Sequence, residues 1–195
     1  DISLTIPDGK VVALLGPNGC GKSTLLKAMA RILTPKSGEV LWQEENLHKL
    51  PSRWLAKHLA LLPQTQPIPE GVTVKDLVAY GRSPYTGFWG RLSRHDHELI
   101  AEAMQQVGVE ALAEQRVSEL SGGQRQRVWL AMTLAQDTPY LLLDEPTTYM
   151  DLSHQVELMQ LLRQLNNAGK TVITVLHDIN QAARYCDHLI VMQAG

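Results

Sequence analysis

Residues 16–23, Gly-Pro-Asn-Gly-Cys-Gly-Lys-Ser, place a glycine, four free positions and Gly-Lys-Ser between the apolar run Val11 to Leu15 and the helix-like run Thr24 to Ile32. A strand, a tight glycine loop and a helix in that order is one βα unit of an α/β fold. The glycines let successive backbone N–H groups turn inward, and the helix beginning near Lys22 adds the positive end of its dipole. Such a cradle suits a nucleotide's phosphates. Lys22 is expected to reach the β- and γ-phosphates, and the Ser23 hydroxyl is placed for Mg²⁺. An ordinary glycine-rich turn would not need the Lys-Ser pair as well.

The run Tyr140-Leu141-Leu142-Leu143-Asp144-Glu145 is apolar and ends in two carboxylates. A strand buried on both faces reads this way, and open α/β sheets bind ligands outside the carboxyl ends of their strands. Asp144 is then expected to hold Mg²⁺, and Glu145 to take a proton from the water that attacks the γ-phosphate. Asp-Glu-Pro is also a good strand stop, but beside the phosphate loop the nucleotide reading prevails. Further short apolar runs at 171–176 and 189–192 predict a parallel sheet covered on both faces. Between Gln64 and Ser121 a helical period takes over: Leu99, Ile100, Ala103, Met104 and Val107 follow a capping box made by Ser93 and Asp96. The expected division is a core of residues 1–65 and 136–195 with an all-helical insertion at 66–135.

That insertion ends in Leu120-Ser121-Gly122-Gly123-Gln124. Ser121 is a favoured N-cap for the helical stretch Gln124 to Ala135, so Gly122 and Gly123 offer backbone N–H groups at a helix start. This is a second anion site with no lysine of its own, in a chain whose first site already encloses one nucleotide's phosphates. Ser121 and Gly123 are therefore expected to close over the γ-phosphate held by another copy, giving a two-fold dimer with two composite sites.

Phosphate loop, Leu-Ser-Gly-Gly-Gln, acidic strand end and a histidine after the run Thr171 to Leu176, in this order, resemble the ATP-binding subunit of an ABC (ATP-binding cassette) transporter. Gln64 in Leu62-Pro63-Gln64 matches that family's Q-loop. The segments Tyr80 to Pro84, Pro146 to Gln155 and His177 to Tyr185 resemble more narrowly the ATPases of bacterial importers for ferric siderophores, ferric citrate, haem and vitamin B12. The resemblance implies a P-loop NTPase fold and the cofactors ATP and Mg²⁺. It assigns nucleotide contacts to Gly16, Pro17, Asn18, Gly19, Cys20, Gly21, Lys22, Ser23, Thr24, Gln64, Ser121, Gly122, Gly123, Gln124 and Asp151. It assigns the metal to Ser23, Gln64 and Asp144, and catalysis to Glu145 and His177. Asp151 matches the D-loop aspartate, although Thr148, Tyr149 and Met150 before it are bulkier than the family's common Ser-Ala-Leu; an N-terminal helix acid is the alternative.

The implied partners are a second copy of the chain, an integral-membrane permease and, indirectly, a substrate-binding protein, with the subunit on the cytoplasmic face of the bacterial plasma membrane. The alternative is a soluble ABC-type ATPase acting on ribosomes or DNA. Its usual tandem cassettes, coiled-coil insertions and basic arms are not found in this stretch. The family's adenine-stacking aromatic lies upstream of the phosphate loop with no matching position here, and both ends look truncated, Asp1 falling in what resembles a strand of the family's first sheet.

Composition agrees with an enzyme domain that is neither strongly basic nor membrane-spanning. A chain of 195 residues, 44% apolar, suffices for one core. The formal charge of −2, from 18 basic and 20 acidic residues, provides no global field for nucleic acid. No apolar run approaches the roughly eighteen residues of a membrane span. Two cysteines, Cys20 and Cys186, make no disulfide framework. His95 and His97 lack further metal ligands and are expected to face water. Tyr85, Phe88 and Trp89 form either a permease-docking patch or a small satellite core.

Overall fold

The computed structural model describes residues 2–68, 70–87 and 90–193. In chain order the elements are β1 (Val11–Leu15), α1 (Lys22–Met29), β2 (Leu41–Trp42), β3 (Glu45–Asn46), α2 (Ser52–His58), β4 (Leu59–Leu62), α3 (Val74–Ala79), α4 (Arg94–Gln106), α5 (Gly122–Ala135), β5 (Tyr140–Asp144), α6 (Leu152–Asn167), β6 (Thr171–Val175), α7 (Ile179–Tyr185) and β7 (His188–Val191). The main sheet has the order β4-β5-β6-β1-β7 and is parallel throughout. β2 and β3 form a separate antiparallel pair.

The largely apolar make-up of β1, β5 and β6 follows from their two covered faces. Val11, Ala13, Leu15, Leu141 and Leu143 enter one core cluster, shared with the insertion helices and α6. Val12, Leu14, Leu142, Ile173 and Val175 enter the other, with Leu26 of α1 and Leu55 of α2. Successive residues alternate between faces, so a central strand is buried at every position and is mostly apolar, Thr171 and Thr174 of β6 being the buried polar exceptions.

Strand order decides where the chemistry sits. β5, β6 and β1 are neighbours, with Asp144 opposite Val175 and Val175 opposite Leu14. The loops that leave these three strands therefore emerge side by side at the carboxyl edge of the sheet.

Helices α3, α4 and α5 pack together through Leu77, Val78, Ile100, Met104, Val128 and Ala131. The capping box of α4 is present: Asp96 N–H donates to Ser93 Oγ, and Ser93 N–H donates to Asp96 Oδ2 at 2.8 Å. Asp96 has a further role that no local pattern announces. Arg82 Nε donates to its Oδ1 at 2.7 Å in a buried pair, and Arg82 Nη1 donates to the Ala135 carbonyl at 2.9 Å at the end of α5. The Tyr85 ring lies 3.8 Å from this guanidinium, while Phe88 and Trp89 lie outside the described residues.

Several expected bounds move. β4 was not expected as a separate strand, because four residues directly after α2 make too short a run to show a period. α1 stops at Met29, with Arg31 at φ 57 reversing the chain. α5 starts at Gly122 instead of Gln124. Asp1 lies outside the described residues, and residues 2–7 form no strand. Among the described residues no helix is long and apolar enough to cross a membrane.

Candidate nucleotide-binding and hydrolysis site

The phosphate loop leaves β1 at Gly16 with φ 145, where an added Cβ would collide with the Met192 carbonyl and crowd Cys20 Sγ. Only glycine fits there. Gly19 and Gly21 are also in the left-handed region. Lys22 is buried, and its Nζ donates to the carbonyls of Gly16 at 2.8 Å and Pro17 at 2.9 Å. The ammonium thus closes on the loop itself, held by two carbonyls that an anion's oxygens could replace.

At the second residue of α1, Ser23 Oγ donates to Asp144 Oδ1 at 2.8 Å. Asp144 is 1% exposed, and its Oδ2 is buried with no hydrogen-bond partner. Burial pushes the Asp144 carboxyl above its ordinary value, the Ser23 hydroxyl opposes this, and neighbouring Glu145 adds to it. A hydroxyl beside a buried carboxylate with one oxygen unsatisfied is a hard, anionic donor set, and it fits Mg²⁺.

Glu145 follows with φ 52, an uncommon conformation for a residue with a side chain. Its Oε1 lies 2.8 Å from His177 Nε2, on the loop between β6 and α7. The sheet order thus brings Lys22, Ser23, Asp144, Glu145 and His177 to one edge. Asp178 caps α7 by accepting from Asn180 N–H at 2.7 Å, which orients the chain just past the histidine.

Ser121 caps α5 in a second capping box: Ser121 Oγ accepts from Gln124 N–H at 3.2 Å, and Ser121 N–H donates to Gln124 Oε1 at 2.9 Å. Ser followed three positions later by Gln is the local sequence pattern of such a box. Gly122 and Gly123 open the helix beneath Tyr149, and a Cβ on Gly123 would stand 3.0 Å from the Tyr149 carbonyl. A cavity of about 540 Å³ is lined by Ser121, Gly122, Gly123, Arg127, Tyr149 and Asp151, among others.

The family described as ABC transporter matches residues 1–148. The chain belongs to the ABC transporter family. It is 52% identical over 193 residues to the achromobactin transport ATP-binding protein of Dickeya dadantii (strain 3937), an alignment covering 98% of this chain and 72% of that protein. It is 49% identical over 196 residues to the iron(3+)-hydroxamate import ATP-binding protein of Bacillus subtilis (strain 168), covering 100% of this chain and 73% of the relative. Among solved structures it is similar to a dimeric ATP-binding cassette in a post-hydrolysis state with ADP and Pi, at TM-score 0.86 and 32% identity, covering 98% of this chain and 84% of that one. The chain is an ABC-type ATPase with the P-loop fold.

In this ABC cassette the remaining candidates fall as follows. Gln64 is exposed just past the end of β4. Asp151 is the N-cap of α6, accepting from His154 N–H at 3.0 Å, Ser153 Oγ at 2.8 Å and His154 Nδ1 at 2.8 Å. The His154 N–H and Ser153 hydroxyl hold its carboxyl at about 2. Asp151 also lines the same cavity as Ser121 and Gly123, so the capping role and a place beside the signature turn, Ser121 to Gln124 at the start of α5, coexist. His95 and His97 are exposed, and the described residues contain no cluster of three metal-ligating side chains.

Proposed function

We propose that this chain is the ATP-hydrolysing subunit that energises import of an iron(III) chelate through a membrane permease. The observation that carries the hydrolytic part is the Glu145–His177 contact of 2.8 Å, directly beside the bonded Ser23–Asp144 pair at the ends of adjacent strands. The iron chelate rests on the relatives, which are named for achromobactin transport and iron(3+)-hydroxamate import. A soluble ATPase acting on ribosomes or DNA has no comparable support.

In this reading residues 16–24 cradle the phosphates, with Lys22 exchanging loop carbonyls for β- and γ-oxygens. Ser23 and Asp144 hold Mg²⁺, and the Gln64 amide is a further ligand. When bound, Mg²⁺ neutralises charge developing on the phosphate oxygens. Glu145 accepts the proton of the attacking water. His177 fixes the Glu145 carboxylate and positions the γ-phosphate. Ser121, Gly122, Gly123 and Gln124 take the γ-phosphate held by a second copy in a head-to-tail dimer, with Asp151 between the two sites. Residues 66–135, which contain α3, α4 and α5, move as a unit against the core formed by 1–65 and 136–195, and Gln64 conveys that motion to the permease. A substrate-binding protein supplies the cargo, and the subunit works on the cytoplasmic face of the plasma membrane.

The expected outcome for Glu145→Gln is retained ATP binding, accumulation as a dimer and a fall in kcat of about 10²–10⁴. Single-turnover ATPase assays with size-exclusion chromatography check this, and turnover near that of the native protein refutes the assignment.

A further inference from the structure

The seven residues Glu145 to Asp151 join the end of β5 to the cap of α6, and Glu145 at φ 52 and Tyr149 at φ 65 are both non-glycine residues in the left-handed region. Such conformations persist only where the surroundings over-determine them. The turn's own hydrogen bonds are long: Thr148 N–H to Glu145 O and Met150 N–H to Thr147 O are each 3.2 Å. Two glutamines from two helices bond the turn from outside, and a third glutamine bonds one of them.

Gln126 of α5, 3% exposed, donates through Nε2 to the Pro146 carbonyl at 3.3 Å. Gln155 of α6 donates through Nε2 to the Met150 carbonyl at 3.0 Å. Gln155 Oε1 in turn accepts from Gln181 Nε2 of α7 at 2.7 Å. We propose that Gln126, Gln155 and Gln181 are positioning residues that hold the turn between Glu145 and Asp151, and so set the orientation of the Glu145 carboxylate.

The amide chain has a direction. Gln181 donates to Gln155, which can then present its own N–H to Met150 O. The turn is thus held by His177, on the loop before α7, through Glu145, and indirectly by Gln181 of α7 through Gln155. α5 grips it from the other side, on the same helix that begins at Ser121. A displacement of the signature helix reaches Pro146, the residue after Glu145, without passing through any nucleotide.

This inference rests on Glu145 acting as the base. The test reverses the chain's polarity in the full-length protein: Gln181→Glu removes the donor and turns Gln155 round, whereas Gln181→Lys keeps a donor. Gln181→Glu is expected to lower kcat about tenfold with the KM for ATP and the Tm close to native, and Gln181→Lys to keep kcat within about twofold. Equal kcat in the two variants, or a loss in Gln181→Glu matched by a comparable fall in Tm or rise in KM, overturns the relay. Glu145→Gln measured alongside separates the two readings: if it hydrolyses ATP normally the base assignment fails, and if it is inactive while the Gln181 variants are equal, only the relay fails.

Discussion

Two buried carboxylates, Asp96 in the helical region and Asp144 at the edge of the sheet, sit in opposite electrostatic states. Asp96 accepts from the Ser93 N–H, the Ser93 hydroxyl and the Arg82 guanidinium, and the Ser93 hydroxyl foremost holds its carboxyl down to about 2. Asp144 accepts from Ser23 alone, keeps Oδ2 unsatisfied and is pushed up by burial. The first is spent on structure, locking the α4 cap to the end of α5. The second is left poised for a ligand at a cost to the empty fold, as expected where function and stability compete. The same contrast extends to the cations: Arg82 is satisfied within the fold, whereas Lys22 rests on two loop carbonyls that a phosphate can replace.

The contrast breaks first at Asp96. Asp96→Asn leaves Arg82 buried and uncompensated, and is expected to destabilise the protein by about 3–5 kcal/mol at neutral pH. Because the folded carboxyl titrates below its unfolded value, its contribution is complete above pH ~4 and is lost as pH falls toward ~2. The gap between native and variant in denaturant melts should therefore narrow over that range. A constant gap, or none at neutral pH, would remove the distinction between the two carboxylates.

The opposite sign is expected at Asp144. A folded carboxyl titrating above its unfolded value opposes folding at neutral pH, and the penalty fades as pH falls through the folded and then the unfolded value. Asp144→Asn should raise the Tm of the nucleotide-free protein while abolishing Mg²⁺-dependent hydrolysis. A lower Tm in calorimetry without nucleotide would show that Asp144 is structural as well.

Much of this was legible in the sequence because it is local. The phosphate loop, the strand ending at Asp144, the Ser93–Asp96 box and the Ser121 cap each occupy a short window with its own physical signature. The adjacency of Glu145 and His177 was not, since it depends on β5 and β6 being neighbours. Arg82–Asp96 and the three glutamines stayed hidden for the same reason. A buried arginine or glutamine looks like a surface residue until its partners, tens of positions away, are brought to it. β4 escaped because four apolar residues fused to a preceding helix carry no period.

The catalytic edge and the signature turn of one chain are expected to serve different nucleotides. Mixing two inactive full-length variants tests it: Lys22→Ala, with a disabled phosphate loop and native signature, and Ser121→Arg, the converse. A head-to-tail dimer of the two holds one wholly native composite site, so ATPase activity should reappear on mixing, well above the sum of the separate variants. Activity that stays at that sum would contradict the account, because a site complete within one chain cannot be rescued in this way.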